Sequence, residues 1–588
     1  MRSLISTKYI SAGNMYCRLQ AIAFPEMSQE GSSSFSFDLL SHKAKACINC
    51  RRRKIKCDGE RPKCGQCTRS MSFQDCEYAD DGPTRTQLLE EQIAILEARI
   101  EELEKPKELR SNLILQNPYT GERRSASAPA LSRGGSFVHL PLPHSEFSSG
   151  ISSPVTPSSS EGTIPLVELE TLVHNFLRHS SQFGFFLNVN NFTEAAMGRS
   201  GQRPASALLD AVNLWAVHLS GSDDFTAYES SYLSRALRTA VEALSSTHFN
   251  TVLHSIQAEV LLSQYFLRNT RFLEGKYHLS AAVSLVLSSG LHRIRSADSY
   301  AVGGPLGPAF QILPPPRDAL DEAERINAFW TVLTLNNCWT TADGSPSNIS
   351  YTTVPDARID TPWPLDIDVP VLPIQVLPES SIGTVTTFLA NLPDNGLSVA
   401  ALRAKAAILF EQASRLASSY RPNMGDHNQL NQFYVSFNAM DHLIEGFKGS
   451  ITGVHLHSPR EMLVIHSLAQ VATIQLHNPF VIDVVGTSRL RVLDAARAVV
   501  AHLTQVPVNE FVYIDPIMGT LLMATCQVFV AELSRFRRHR VLNGGVSHEE
   551  RSLVDGIDTV LAVMNVFAPN CRLMDSQLLT MQQLYHGL

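Results

Sequence analysis

Six cysteines between positions 47 and 76 constrain this chain more than any other feature. Cys47, Cys50, Cys57, Cys64, Cys67 and Cys76 follow the spacing C-x2-C-x6-C-x6-C-x2-C-x8-C, two copies of one C-x2-C-x(6–8)-C unit. A two-residue gap lets both thiolates of a pair reach one ion from a single turn of backbone, as a tetrahedral zinc site requires. Two zinc ions need eight ligand positions, so with six cysteines two must bridge. The resulting cluster is anionic. Lys43, Lys45, Arg51, Arg52, Arg53, Lys54, Lys56, Arg61, Lys63 and Arg69 surround it, opposed nearby only by Asp58 and Glu60. That basic excess offsets the cluster and leaves a face suited to phosphates. A disulfide framework does not suit a chain without a convincing secretory signal. A redox C-x-x-C lacks its βα context, and RING or LIM modules need other spacings.

The stretch resembles the fungal binuclear zinc cluster, the Zn2Cys6 DNA-binding domain of fungal transcription factors, over about thirty residues that include all six cysteines and the basic run. The resemblance implies two zinc ions per chain, with Cys47 and Cys64 bridging. Cys50 and Cys57 would complete one site, Cys67 and Cys76 the other. It also implies a short helix opening each half, near 48–54 and 65–70, and Pro62 in the loop between them. Lys54, four residues after the second cysteine, would read bases of CGG triplets in the major groove. Arg51, Arg52, Arg53, Lys56 and Lys63 would mainly hold phosphates.

Charge is distributed to match. The whole chain carries −7, while the ten bases and two acids of 43–69 leave −15 on the rest. A basic module on an acidic body points to nucleic acid at one end only. The other cysteines, Cys17, Cys338, Cys526 and Cys571, are scattered singly and read as buried free thiols. No run approaches eighteen consecutive apolar residues, so no membrane partner is expected.

Residues 1–42 read as a disordered N-terminus. Its first 25 residues hold Arg2, Lys8 and Arg18 but no acid, a composition weakly like a transit peptide. A working start at Met27 is the favoured account. The zinc cluster domain is placed at 43–80. A helix is expected at 84–105, with Thr84 as cap and Gln87 as capping-box partner. Leu89, Ile93, Leu96, Ile100 and Leu103 form an a/d seam with Ile at a and Leu at d, the pattern of a parallel two-stranded coiled coil. Arg85 would face Glu90 of a second copy, Arg99 would face Glu104, and Pro106 ends the helix. Packing of this face on its own chain is the alternative to a homodimer. Residues 106–163 are Ser- and Pro-rich and read as a disordered linker.

Dense helical periodicity starts near 164, and residues 164–588 read as an all-α regulatory body. Helices are expected at 402–420, 461–477, 490–503, 517–533 and 552–566, and a loop at 351–391. Arg271-Phe272-Leu273-Glu274-Gly275-Lys276-Tyr277-His278-Leu279, Glu324-Arg325-Ile326-Asn327-Ala328-Phe329-Trp330 and Ile359-Asp360-Thr361-Pro362-Trp363-Pro364 resemble the fungal-specific transcription factor domain. Asn336 and Asn337 stand where that family usually carries an aspartate.

No nucleophile elbow, phosphate loop or dinucleotide fingerprint is present, and no catalytic residue is assigned. His466 and His477 are eleven residues apart on one expected helix, too far for one ion. The basic run 535–540 reads as a solvated helix end. The sequence therefore points to a nuclear, sequence-specific DNA-binding regulator of RNA polymerase II transcription. Its partners would be double-stranded DNA with CGG-type sites, a second copy of the chain, and an unidentified coactivator or effector. The rivals are an interaction protein with a structural zinc cluster and an enzyme built on the helical body.

Overall fold

In the computed structural model the described residues are Cys47, Cys50, 54–60, 63–69 and 164–587, less 200–201, 246–247, 249, 299–312, 356, 369–376, 422–426, 452–457, 482–485 and 540–546. The chain divides into two compact units, one holding residues 27–154 and the other residues 155–588. The first unit's described helix is α1 (Gly65–Thr68).

The second unit is helical, as the periodicity implies. Its helices are α2 (Leu166–Leu177), α3 (Val189–Ala196), α4 (Ser206–His218), α5 (Asp223–Glu242), α6 (Thr251–Arg268), α7 (Phe272–Ser288) and α8 (Ala319–Asp343). There follow α9 (Thr384–Leu389), α10 (Val399–Ser419), α11 (His427–Ile451), α12 (Pro459–His477), α13 (Thr487–Gln505), α14 (Ile517–His539), α15 (His548–Phe567) and α16 (Arg572–His586). No strand occurs among the described residues; one isolated bridge joins Ser296 and Ser381. The stretch 351–391 is irregular except for α9, which six residues make too short to show a period.

Local chemistry sets the helix ends. Asp318, Ser398 and Ser547 each accept the N–H three residues on, from Asp321, Ala401 and Glu550, filling otherwise orphaned donors. Pro459 starts α12, where its missing N–H costs nothing. Gly344 takes the left-handed conformation, φ 72°, that ends α8.

Chain neighbours pack in pairs, α4 on α5 and α6 on α7, while α8 packs on α10, α10 on α12 and α12 on α13. α12 is buried almost all round, with apolar or small residues from Met462 to Leu476 on every face. α14 and α15 are long and apolar enough to cross a membrane by composition. The most apolar window of α14 is 78% buried, so it is a core helix, whereas α15 buries one face and exposes acids such as Asp555.

The irregular segment before α9 is tied down by Asp360, which is fully buried. Its carboxylate accepts the Gly383 N–H at 2.7 Å, the Ser296 hydroxyl at 2.6 Å and Arg358 Nε at 2.7 Å. Trp330 Nε1 donates to the Pro362 carbonyl at 2.6 Å, and its ring stacks on Trp363 with centroids 4.5 Å apart. Asn336 and Asn337 are buried, and their amides donate to the Ser347 hydroxyl at 2.9 Å and the Tyr351 hydroxyl at 2.6 Å. They brace α8 against the turn that follows it. Cys338, Cys526 and Cys571 are buried free thiols; Cys17 lies outside the described residues.

Candidate metal centre and nucleic-acid interface

Four thiols converge in the first unit. Cys47, Cys50, Cys64 and Cys67 are buried, and their sulfurs all lie within 4.8 Å of one another. The Cys47–Cys64, Cys47–Cys67 and Cys50–Cys64 sulfur separations are 3.7, 3.8 and 3.6 Å. A disulfide would need about 2.05 Å. Zinc–sulfur bonds of about 2.3 Å in a tetrahedron place neighbouring sulfurs about 3.8 Å apart. The thiols therefore fit zinc. Cys57 is half-buried, and its sulfur lies within 4.8 Å of Cys64 and of an Asp58 oxygen. Cys76 lies outside the described residues.

Each C-x-x-C is built the same way. The Cys50 N–H points to Cys47 Sγ at 3.4 Å, and the Cys67 N–H points to Cys64 Sγ at 3.4 Å. Cys64 is thus the N-cap of α1, with sulfur in the place a serine oxygen would take. Burial pushes the Cys50 thiol up to about 12. Burial acts on Cys64 in the same sense, but the Cys67 N–H and the neighbouring thiols outweigh it and its pKa falls.

Asp58 joins the halves. Its carboxylate accepts the Gly65 N–H at 2.8 Å and the Glu60 N–H at 3.3 Å, fixing the loop to the first residue of α1. Cys50 is helical, and the Ile55 N–H returns to the Cys50 carbonyl at 3.1 Å. Lys54 closes that turn in the left-handed region, φ 52°. Lys54, Ile55 and Lys56 are exposed in sequence, and Lys63 is half-exposed. Arg51, Arg52 and Arg53 lie outside the described residues, as does the a/d seam of Leu89, Ile93, Leu96, Ile100 and Leu103. Sequence reasoning did not foresee the Asp58 contact or the left-handed Lys54. Only Asp58-Gly59, an ordinary turn pair, hinted at the first.

Among the described residues the histidines gather no metal site. His466 stacks on His502 with ring centroids 4.1 Å apart, while His477 bonds Asp441 at 3.0 Å and Ser488 at 3.1 Å. Arg535 pairs with Glu532 at 3.5 Å, and Arg537 with Glu550 at 3.4 Å.

Comparison with known proteins agrees with this picture. Residues 45–85 match the fungal Zn(2)-Cys(6) binuclear cluster domain, and residues 173–370 match the fungal specific transcription factor domain. Both are transcription-factor families rather than enzyme families, and the first carries two zinc ions. The chain is similar to the citrinin biosynthesis transcriptional activator mrl3 of Monascus ruber, 24% identical over 320 residues, covering 50% of this chain and 60% of that protein. The citrinin biosynthesis transcriptional activator ctnR of Monascus purpureus is also 24% identical, over 50% of this chain and 53% of that one. The transcriptional activator protein acu-15 of Neurospora crassa is 44% identical over 66 residues, 10% of this chain and 7% of that protein. The chain thus spans less than two thirds of the relatives it matches. No solved structure matches it.

Proposed function

We propose that this chain, which belongs to the fungal Zn(2)-Cys(6) transcription factors, binds CGG-type duplex DNA through residues 43–80 and activates transcription in the nucleus. Cys47 and Cys64 bridge two zinc ions; Cys50 and Cys57 complete one site, Cys67 and Cys76 the other. The observation that carries this is the set of buried thiols at tetrahedral spacing beside the exposed Lys54–Lys56 turn. In the bridged arrangement the Cys47–Cys64 separation is the shared edge. Cys50–Cys64 is then an edge of one tetrahedron and Cys47–Cys67 of the other. The ions neutralise most of the thiolate charge and hold the two halves in register. The chain's own lysines and arginines then meet phosphates and base edges.

Lys54 reads guanine, while Arg51, Arg52, Arg53, Lys56 and Lys63 hold phosphates. The helix at 84–105 joins two copies, so that paired half-sites are read together. Domain boundaries follow at 1–42, 43–80, 84–105, 106–163 and 164–588, with the last as the regulatory body. The test is a duplex titration of the full chain with and without a zinc chelator. Zinc-dependent preference for CGG over scrambled DNA is expected. Equal binding to both duplexes would leave the cluster as a structural support for protein contacts instead.

A further inference from the structure

The helical unit contains a cavity of about 680 Å³ between α6, α8, α10 and the segment 364–368. That is the size of sites that enclose drug-sized ligands. Phe185, Trp330, Leu335 and Trp339 supply much of its wall. Three lining residues that are nine-tenths or more buried also carry polar atoms with no protein partner: the acceptors Gln264 Oε1 and Asn327 Oδ1, and the donor Trp339 Nε1. The other end of the Asn327 amide is engaged, donating to the Leu365 carbonyl at 2.9 Å. Gln264 Oε1, Asn327 Oδ1 and Trp339 Nε1 have almost no accessible surface, so what a ligand would touch is chiefly the aromatic and aliphatic wall.

The charged lining restricts its class. Asp366, Asp368, Glu461 and Asp515 line the cavity, against one cation, Arg403. Arg403 is paired with Asp515. Asp366 accepts the Val399 and Ala400 N–H groups at the start of α10, each at 3.4 Å. Asp368 accepts the Val189 N–H at 3.1 Å at the start of α3. Glu461 accepts Gln182 Nε2 at 2.8 Å and lies 3.5 Å from Arg460. These carboxylates are held in place by the fold, and their field opposes an anion.

We propose that this cavity binds a non-anionic, largely aromatic small molecule, seated against Phe185, Trp330, Leu335 and Trp339. The site lies wholly in the helical unit, so its test does not depend on DNA binding. Two probes share one diaryl-amine skeleton and differ in charge: N-phenyl-1-naphthylamine is neutral, and 1-anilinonaphthalene-8-sulfonate carries a sulfonate. Titrated into the full chain, the neutral probe should show saturable, blue-shifted fluorescence at one site per chain. The sulfonate should bind at least tenfold more weakly. Ala400→Phe fills the cavity from α10 and should weaken the neutral probe at least tenfold while the Tm holds; Thr331→Phe, on α8, should do the same. No saturation by the neutral probe, equal affinity for the two probes, or unchanged affinity in a folded filling variant would overturn the proposal. If neither variant folds, the two-probe comparison on the unaltered chain decides it.

Discussion

Gly65 lies so close to Asp58 that a Cβ added to it would sit 2.5 Å from Asp58 Oδ2, the oxygen that accepts the Gly65 N–H. The two halves of the cluster are therefore latched at a point where only a glycine leaves room for the carboxylate. Asp58→Ala and Gly65→Ala should each loosen the cluster by about 1–3 kcal/mol, since each breaks a hydrogen bond to an ionised acceptor. Faster zinc transfer to a competing chelator, with the ions per chain unchanged at saturation, is the expected result. Unaltered transfer rates in both variants would show that Asp58 does not hold the halves together.

The bridged arrangement makes the six cysteines unequal. Elemental analysis of the purified chain should give two zinc ions. Cys47→Ser or Cys64→Ser should disturb both, because each sulfur serves two ions, whereas Cys50→Ser should mainly affect one. Removing the ions should unfold residues 43–80, as metal binding and folding are one equilibrium in small zinc domains. A single ion held by Cys47, Cys50, Cys64 and Cys67 would refute the bridge.

The cysteine positions were legible because metal chemistry fixes ligand spacing in sequence. Lys54 was legible as a cation but not as a left-handed residue, since a lysine carries no local sign of that conformation. Most helices were legible from their period, with ends that moved. The helix expected to end at 533 continues to His539, with Arg535 and Arg537 paired to Glu532 and Glu550. The cavity was not legible at all. Gln264, Asn327 and Trp339 come from two helices, α6 and α8, and only long-range packing brings them to one wall.

His254 should make the helical unit acid-sensitive. It is buried, and its Nδ1 accepts the Ala205 N–H at 3.1 Å, a role only the neutral ring can fill. Burial, with His248 and Arg317 nearby, pulls its pKa down from 6.5 to about 3. The unfolded chain then binds the extra proton between those values. Stability from this group is complete above about pH 6.5 and is lost as pH falls towards 3, by roughly 1 kcal/mol per pH unit. Urea melts at pH 7.5, 6.5 and 5.5 should show the loss. His254→Asn, which can still accept the Ala205 N–H, should remove much of that slope; an unchanged slope would place the sensitivity elsewhere.

Two copies should be joined through 84–105. Changing Leu96 to Glu would put a charge in the seam at a cost of about 2 kcal/mol or more per chain. Sedimentation should then show more monomer, and affinity for a paired CGG site should fall towards that for one half-site. A dimer-like footprint that survives in this variant would mean the apolar face packs on its own chain.

The last prediction separates base reading from charge. Lys54 sits exposed at the end of the first turn with φ 52°, a conformation glycine adopts without strain. Lys54→Gly therefore removes the side chain while keeping the turn that delivers it, which an alanine would not. If Lys54 donates to guanine O6 and N7, its loss should cost about 1–3 kcal/mol on CGG and much less on scrambled DNA. Lys63, half-exposed beside Cys64, is assigned to phosphate. Lys63→Ala should weaken both duplexes about equally and lower the salt slope by about one unit. Both variants should be titrated on both duplexes across a salt series, at a measured two zinc ions per chain. A Lys54→Gly chain that binds both duplexes more weakly but keeps its preference for CGG would make Lys54 another phosphate contact.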